Sequence, residues 1–258
     1  GSNHVLLSAA SDKIICMWNP GTGELLRVLT APSFTTRAFG VYPYGSNVFY
    51  SGGVELCMWD SDGKLCKVTE RNEAEDIQMI TMLSGSMFIT SADRKMTVYE
   101  SHEDDVEVLL HLPPHNEKIT SVTKVNDSHF ASGSLDGSVV LWSSENFTRV
   151  KFLSLKRQDF QGCNHCYPYS VQMLLPVDEN FVICAMSCGF FIQDIRTNKH
   201  IASFTNAHYS KIRDIAFVFG NLLLATTSED GLIRLWGVQE ALNTATQITD
   251  ADYVDQKS

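Results

Sequence analysis

Val139-Val140-Leu141-Trp142, a short apolar run closed by an aromatic, has copies upstream at a nearly constant interval. Ile14-Ile15-Cys16-Met17-Trp18, Leu56-Cys57-Met58-Trp59 and Met96-Thr97-Val98-Tyr99 precede it, and the four closing aromatics lie 41, 40 and 43 residues apart. A fifth copy, Leu232-Ile233-Arg234-Leu235-Trp236, ends 94 residues after Trp142. That is two intervals and an insertion of about ten residues, with a degenerate copy, Phe190-Phe191-Ile192-Gln193, between them. An interval of this length holds about four short strands, so the chain reads as all-β and built from repeated small sheets.

Each repeat reads as an outer strand, an inner strand, a middle strand, a turn, and the aromatic-capped strand. The clearest runs from Val106 to Trp142: Val106–Leu110, Ile119–Val125, His129–Ser134, then Ser138–Trp142. Asp136-Gly137 joins its last two strands, and both residues tolerate the positive φ of a tight hairpin. Alternate apolar residues point to the two faces of a sheet, so each sheet expects a neighbour on both sides. One such sheet cannot bury itself, and stability belongs to the stack.

These residues resemble the WD-repeat β-propeller family. The resemblance implies a buried hydrogen-bonded set made by a His before the inner strand, a Ser or Thr on the middle strand, a turn Asp and the closing Trp. His115, Ser132, Asp136 and Trp142 match it, as do His208, Thr226, Asp230 and Trp236, while Ser8, Asp12 and Trp18 match three members. The chemistry is mutual satisfaction of buried polar groups. A Ser-His-Asp set also invites comparison with a hydrolytic triad, but that needs an oxyanion hole and an open cleft, and the repeated spacing with a fourth partner points to structure. The repeat ending at Trp59 lacks the His and the turn Asp, the one ending at Tyr99 keeps Asp93 but not Trp, and Phe181 to Gln193 has lost nearly the whole set.

Counting repeats gives about six blades, since seven need roughly 300 residues. A start inside a middle strand favours part of a larger seven- or eight-bladed ring. The expected layout is a tag scar or terminal strand over 1–5, a propeller over 6–247 with an outer strand within 238–247, and a polar tail over 248–258.

The order of intact and degenerate repeats resembles one branch of the family more closely. Ser51-Gly52-Gly53, Leu65-Cys66-Lys67, Val125-Asn126-Asp127, Asp178-Glu179-Asn180-Phe181-Val182, Ala207-His208 and Ser228-Glu229-Asp230-Gly231 carry that likeness. It implies a non-enzymatic subunit without cofactor, bound to a longin–DENN heterodimer that acts on small GTPases in autophagy. It further implies a cytoplasmic protein recruited to lysosomes through a cationic amino-acid transporter.

Composition sets outer bounds. At 44% hydrophobic and 19% charged, the chain has ample material for a core and is not disordered. A net charge of -10 disfavours nucleic acid, whose binding needs clustered cations. No apolar stretch reaches the length of a membrane span, and no signal peptide opens the chain.

Seven cysteines in scattered positions suit a reducing compartment. Cys16, Cys57, Cys66, Cys184 and Cys188 sit in strand-like runs that suit small buried hydrophobes. Cys163-Asn164-His165-Cys166 is the one local cluster with metal-ligand character, yet no second pair follows, and the insertion around it reads as a surface loop. The acidic stretches at Glu103-Asp104-Asp105 and Asp250 to Asp255 read as solvated, as does a basic-aromatic edge around Lys151, Phe152, Lys156, Arg157 and Phe160.

Two functions from different classes remain beside the scaffold. A peptide-reading adaptor, either a ubiquitin-ligase substrate receptor or a modified-lysine reader, would show converging arginines or an aromatic cage. A hydrolase would show converging carboxylates or metal ligands.

Overall fold

The structure is a computed structural model and describes residues 5–10, 12–32, 38–41, 48–71, 74–83, 85–103, 105–153, 169–218 and 223–237. Among them are 22 strands and no helix, arranged in six antiparallel sheets. The chain divides into two compact units, residues 1–115 and 116–258.

The first unit holds three sheets. One comprises β1 (Leu6–Ala9), β2 (Ile14–Trp18) and β3 (Leu25–Thr30). Next come β4 (Ala38–Val41), β5 (Val48–Gly52), β6 (Leu56–Asp60) and β7 (Leu65–Thr69), then β8 (Met79–Met82), β9 (Met87–Ala92), β10 (Lys95–Ser101) and β11 (Val106–His111). Ile15, Met17 and Leu29 of the first sheet meet Phe49, Cys57 and Trp59 of the second in one buried cluster. Tyr50, Leu56 and Met58 meet Ile77, Phe88 and Tyr99 in another, with Phe88 stacked on Tyr50 at 4.6 Å and on Tyr99 at 5.2 Å. Alternate residues of β5 and β6 thus feed opposite faces, which is the period of two that the strands dictate.

The second unit repeats the plan. Its sheets are β12 (Ile119–Lys124), β13 (His129–Ser134), β14 (Val139–Ser143) and β15 (Arg149–Leu153); then β16 (Val171–Pro176), β17 (Phe181–Met186), β18 (Gly189–Asp194) and β19 (Lys199–Phe204); then β20 (Ile212–Val218), β21 (Leu223–Ser228) and β22 (Ile233–Trp236). Every residue of β17 and β18 is buried. Val182, Cys184 and Phe191 pack toward Ala131, Leu141 and Val171, whereas Ile183, Ala185 and Phe190 pack toward Ile212, Ile215 and Leu224. The repeat that has lost its polar set is therefore held by apolar burial on both faces, about 1.5–3 kcal/mol per large side chain.

Sheet and sequence repeat are offset by one strand. The outer strand that opens a repeat pairs with the aromatic-capped strand before it: Tyr99 of β10 lies opposite Val108 of β11, and Trp142 of β14 opposite Arg149 of β15. Short connections keep consecutive antiparallel strands adjacent, so the stretch from Val106 to Trp142 contributes to two sheets rather than one. A register shift falls just before the cap in each such pair, at Met17/Trp18, Met58/Trp59, Val98/Tyr99, Leu141/Trp142 and Ile192/Gln193. A bulge at that point adds local twist and bends the strand.

The turn at Asp136-Gly137 forms, with Gly137 and not Asp136 taking the positive φ. Gly137 has φ +81° and donates its N–H to the Ser134 carbonyl at 3.1 Å, and Asp136 Oδ1 accepts from the Ser138 amide at 2.8 Å. The strand expected within 238–247 and the tail over 248–258 lie outside the described residues.

The cysteines divide differently from the sequence reading. Cys57 and Cys184 are buried, but Cys66 is exposed, because β7 is the outermost strand of its sheet and presents part of its surface to solvent. Cys188 occupies the β17–β18 turn rather than a strand and takes part in a disulfide, which corrects its reading as a free buried thiol.

Candidate functional site

All four tryptophans donate their indole N–H to a Ser or Thr hydroxyl on the strand beside them. Trp18 reaches Ser8 at 2.8 Å, Trp59 reaches Ser51 at 2.9 Å, Trp142 reaches Ser132 at 2.8 Å and Trp236 reaches Thr226 at 2.9 Å. The pairing follows from register, since the strand carrying the hydroxyl lies hydrogen-bonded to the capped strand.

One full set closes within the second unit. His208 Nδ1 lies 3.0 Å from Asp230 Oδ2, and its Nε2 lies 2.7 Å from Thr226 Oγ1. An ionised carboxylate can only accept, so Nδ1–H donates to Asp230. The Thr226 oxygen accepts the indole proton and its own hydroxyl proton goes to Nε2. Asp230 also accepts from the backbone N–H groups of Tyr209 at 3.0 Å and Leu232 at 2.9 Å. Burial alone would raise this carboxyl, but the Leu232, Tyr209 and His208 donors outweigh it and hold Asp230 down to about 2.

The other sets are placed in parts. Ser132 and Trp142 are joined, and Asp136 caps its own turn. His115 is buried, donates its backbone N–H to the Arg94 carbonyl at 3.0 Å, and belongs to the first unit, whereas Ser132, Asp136 and Trp142 belong to the second. Ser8 and Trp18 are joined, and Asp12 Oδ1 accepts from the Ile14 amide at 3.0 Å. Ser51 was missed because its repeat lacks the His and Asp; a Ser eight residues before a closing Trp was the available signal.

The complete set stabilises and does not present a nucleophile. Thr226 is fully buried and both functions of its hydroxyl are engaged. Hydrolytic chemistry needs an accessible nucleophile beside an oxyanion site. Cys163, His165 and Cys166 lie outside the described residues.

A cleft of about 510 Å³ opens within the first unit, between the segment leaving β7 and the strands β10 and β11. Buried Tyr99 and Leu112 form its floor, and Val108, at 43% exposure, continues the apolar surface. Arg71, Lys95 and His111 supply basic groups, with Glu70 the single acid among the described lining residues. Arg71 is held from behind, its Nη1 donating to the Glu75 carbonyl at 3.0 Å, and His111 Nδ1 lies 3.0 Å from the Thr97 hydroxyl. Sequence reading could not find this cleft, because its walls come from residues around 70, 95 and 111 that only sheet packing brings together.

Repeated antiparallel meanders, a bulge before four of the five aromatic caps and hydroxyl–indole pairs define the class as WD-repeat β-propeller. The profile of the WDR41 β-propeller family matches residues 1–254, and the chain belongs to that family. It is 22% identical over 262 residues to human WD repeat-containing protein 41 and 23% identical over 271 residues to the mouse protein, in each case over 95% of this chain and 56% of the relative. An Arabidopsis thaliana WD repeat-containing protein 26 homolog is 22% identical over 90% of this chain and 39% of its own length. The chain thus spans just over half the length of the curated WD repeat-containing protein 41 relatives. WD-repeat β-propellers serve generally as protein-interaction scaffolds.

Proposed function

We propose that this chain is a non-catalytic recruitment scaffold that holds a longin–DENN heterodimer acting on small GTPases and brings it from the cytoplasm to the lysosomal membrane through a cationic amino-acid transporter. The observation that carries the reading is the family match over residues 1–254, together with the order of intact and degenerate repeats. The hydrogen-bonded sets agree with it, since each stiffens its own sheet while the loops between strands are free to vary. A net charge of -10 is consistent with protein partners rather than nucleic acid. No described helix is long and apolar enough to cross a membrane, so membrane association would run through a partner.

The test is affinity capture of the tagged protein from cells, followed by mass spectrometry. Recovery of a longin and a DENN subunit is expected. Recovery of ubiquitin-ligase subunits in their place would assign the chain to the peptide-reading adaptors.

A further inference from the structure

The cleft beside β11 carries chemistry that the scaffold reading does not use. We propose that it is a docking site for a short acidic-apolar peptide, which lies extended along the free edge of β11, sets an apolar side chain on Tyr99 and Val108, and points a carboxylate at Lys95. This goes beyond the recruitment reading and stands without it.

Charge selects the ligand. The chain as a whole is strongly acidic, yet among the described residues of the cleft Arg71, Lys95 and His111 converge against Glu70 alone. Lys95 is exposed and its ammonium has no hydrogen-bond or ion-pair partner among the described residues. At the far end of the strand Asp105 is matched by Lys67 at 3.0 Å, and Glu107 lies 3.7 Å from His102. An incoming carboxylate therefore meets its favourable field at the end of β11 that carries His111.

Shape and backbone select a peptide over a small anion. A free phosphate would leave the Tyr99, Leu112 and Val108 surface bare, whereas a volume near 510 Å³ suits a few side chains of an extended segment. β11 pairs with β10 on one side and with no described strand on the other. Such an edge offers unpaired N–H and C=O groups for strand addition, which supplies affinity while alternate side chains supply selectivity. Val108 lies opposite Tyr99 and His111 opposite Thr97 in the register, so the apolar and basic contacts fall along one face of the strand pair.

Fluorescence anisotropy with a short fluorescein-labelled peptide of alternating glutamate and leucine tests the site. Saturable binding is expected, weakened about tenfold or more by Lys95→Glu and by Val108→Asp, and unchanged by Lys211→Glu, a matched charge reversal in the second unit. Thermal melts coincident with the parent would show that both cleft variants fold. Equal binding to the parent and to Lys95→Glu, an absence of binding to the parent, or equal affinity for a glutamate-only peptide would each overturn the proposal. Capture of the longin–DENN heterodimer by the parent protein tests the recruitment reading separately.

Discussion

Gly133 of β13 lies against Val171 of β16, so close that a methyl group on the glycine would stand 2.5 Å from Val171 Cγ1. Gly52 of β5 stands in the same relation to Ile77, again at 2.5 Å. In both repeats the glycine follows the hydroxyl that binds the tryptophan, so one short segment satisfies the indole and admits the neighbouring sheet.

Gly133→Ala should lower stability by about 1–3 kcal/mol, because the added carbon must displace a packed valine. Denaturant unfolding checks this. Val171→Ala on the same background should recover part of the loss, and purely additive effects of the two changes would contradict the packing explanation.

Thr226→Val should cost more than Ser51→Ala. Valine keeps the volume but strands the buried His208 Nε2, at about 1–3 kcal/mol, and in addition the part-buried Trp236 indole, whereas Ser51→Ala strands only the Trp59 indole. Unfolding free energies of the two variants, measured under one condition, decide the order.

Acid should destabilise the protein partly through Asp230. Its carboxyl sits near 2 in the folded chain and at about 3.9 when unfolded, so the unfolded state binds the proton first as pH falls. The contribution is complete above about pH 4 and is lost as pH drops toward the folded value. Asp230→Asn should lower stability at neutral pH and flatten the decline over that window. Parallel stability-against-pH curves for parent and variant would refute the assignment.

Thiol labelling of the native chain should modify Cys66 and spare Cys57 and Cys184 until the protein unfolds. Cys66 is exposed, while burial and then the Glu55 charge push the Cys57 thiol up to about 11 against the lowering effect of its Ser51 hydrogen bond, and burial raises that of Cys184. Peptide mapping after brief alkylation reads the pattern directly.

Much of this was legible in the chain. The aromatic caps located β2, β6, β10, β14 and β22 because a large closing side chain and a polar turn recur together, and Thr226, His208, Asp230 and Trp236 were found because they match the hydrogen-bonded set of the WD-repeat family. Three things were not legible. Phe181 to Gln193 gave a weak polar signal precisely where apolar burial is most complete, and pairing of β11 with β10 depends on hairpin register rather than repeat order. The basic cleft joins positions distant in sequence, a relation that no local pattern encodes.

The one-strand offset between repeat and sheet governs where this polypeptide can be dissected. A cut placed just after Tyr99 or Trp142 would strip a sheet of its closing strand and bare a new row of backbone groups, whereas a boundary after His111 or Leu153 leaves each meander whole. Truncations and fusions should therefore respect the hairpin, not the motif.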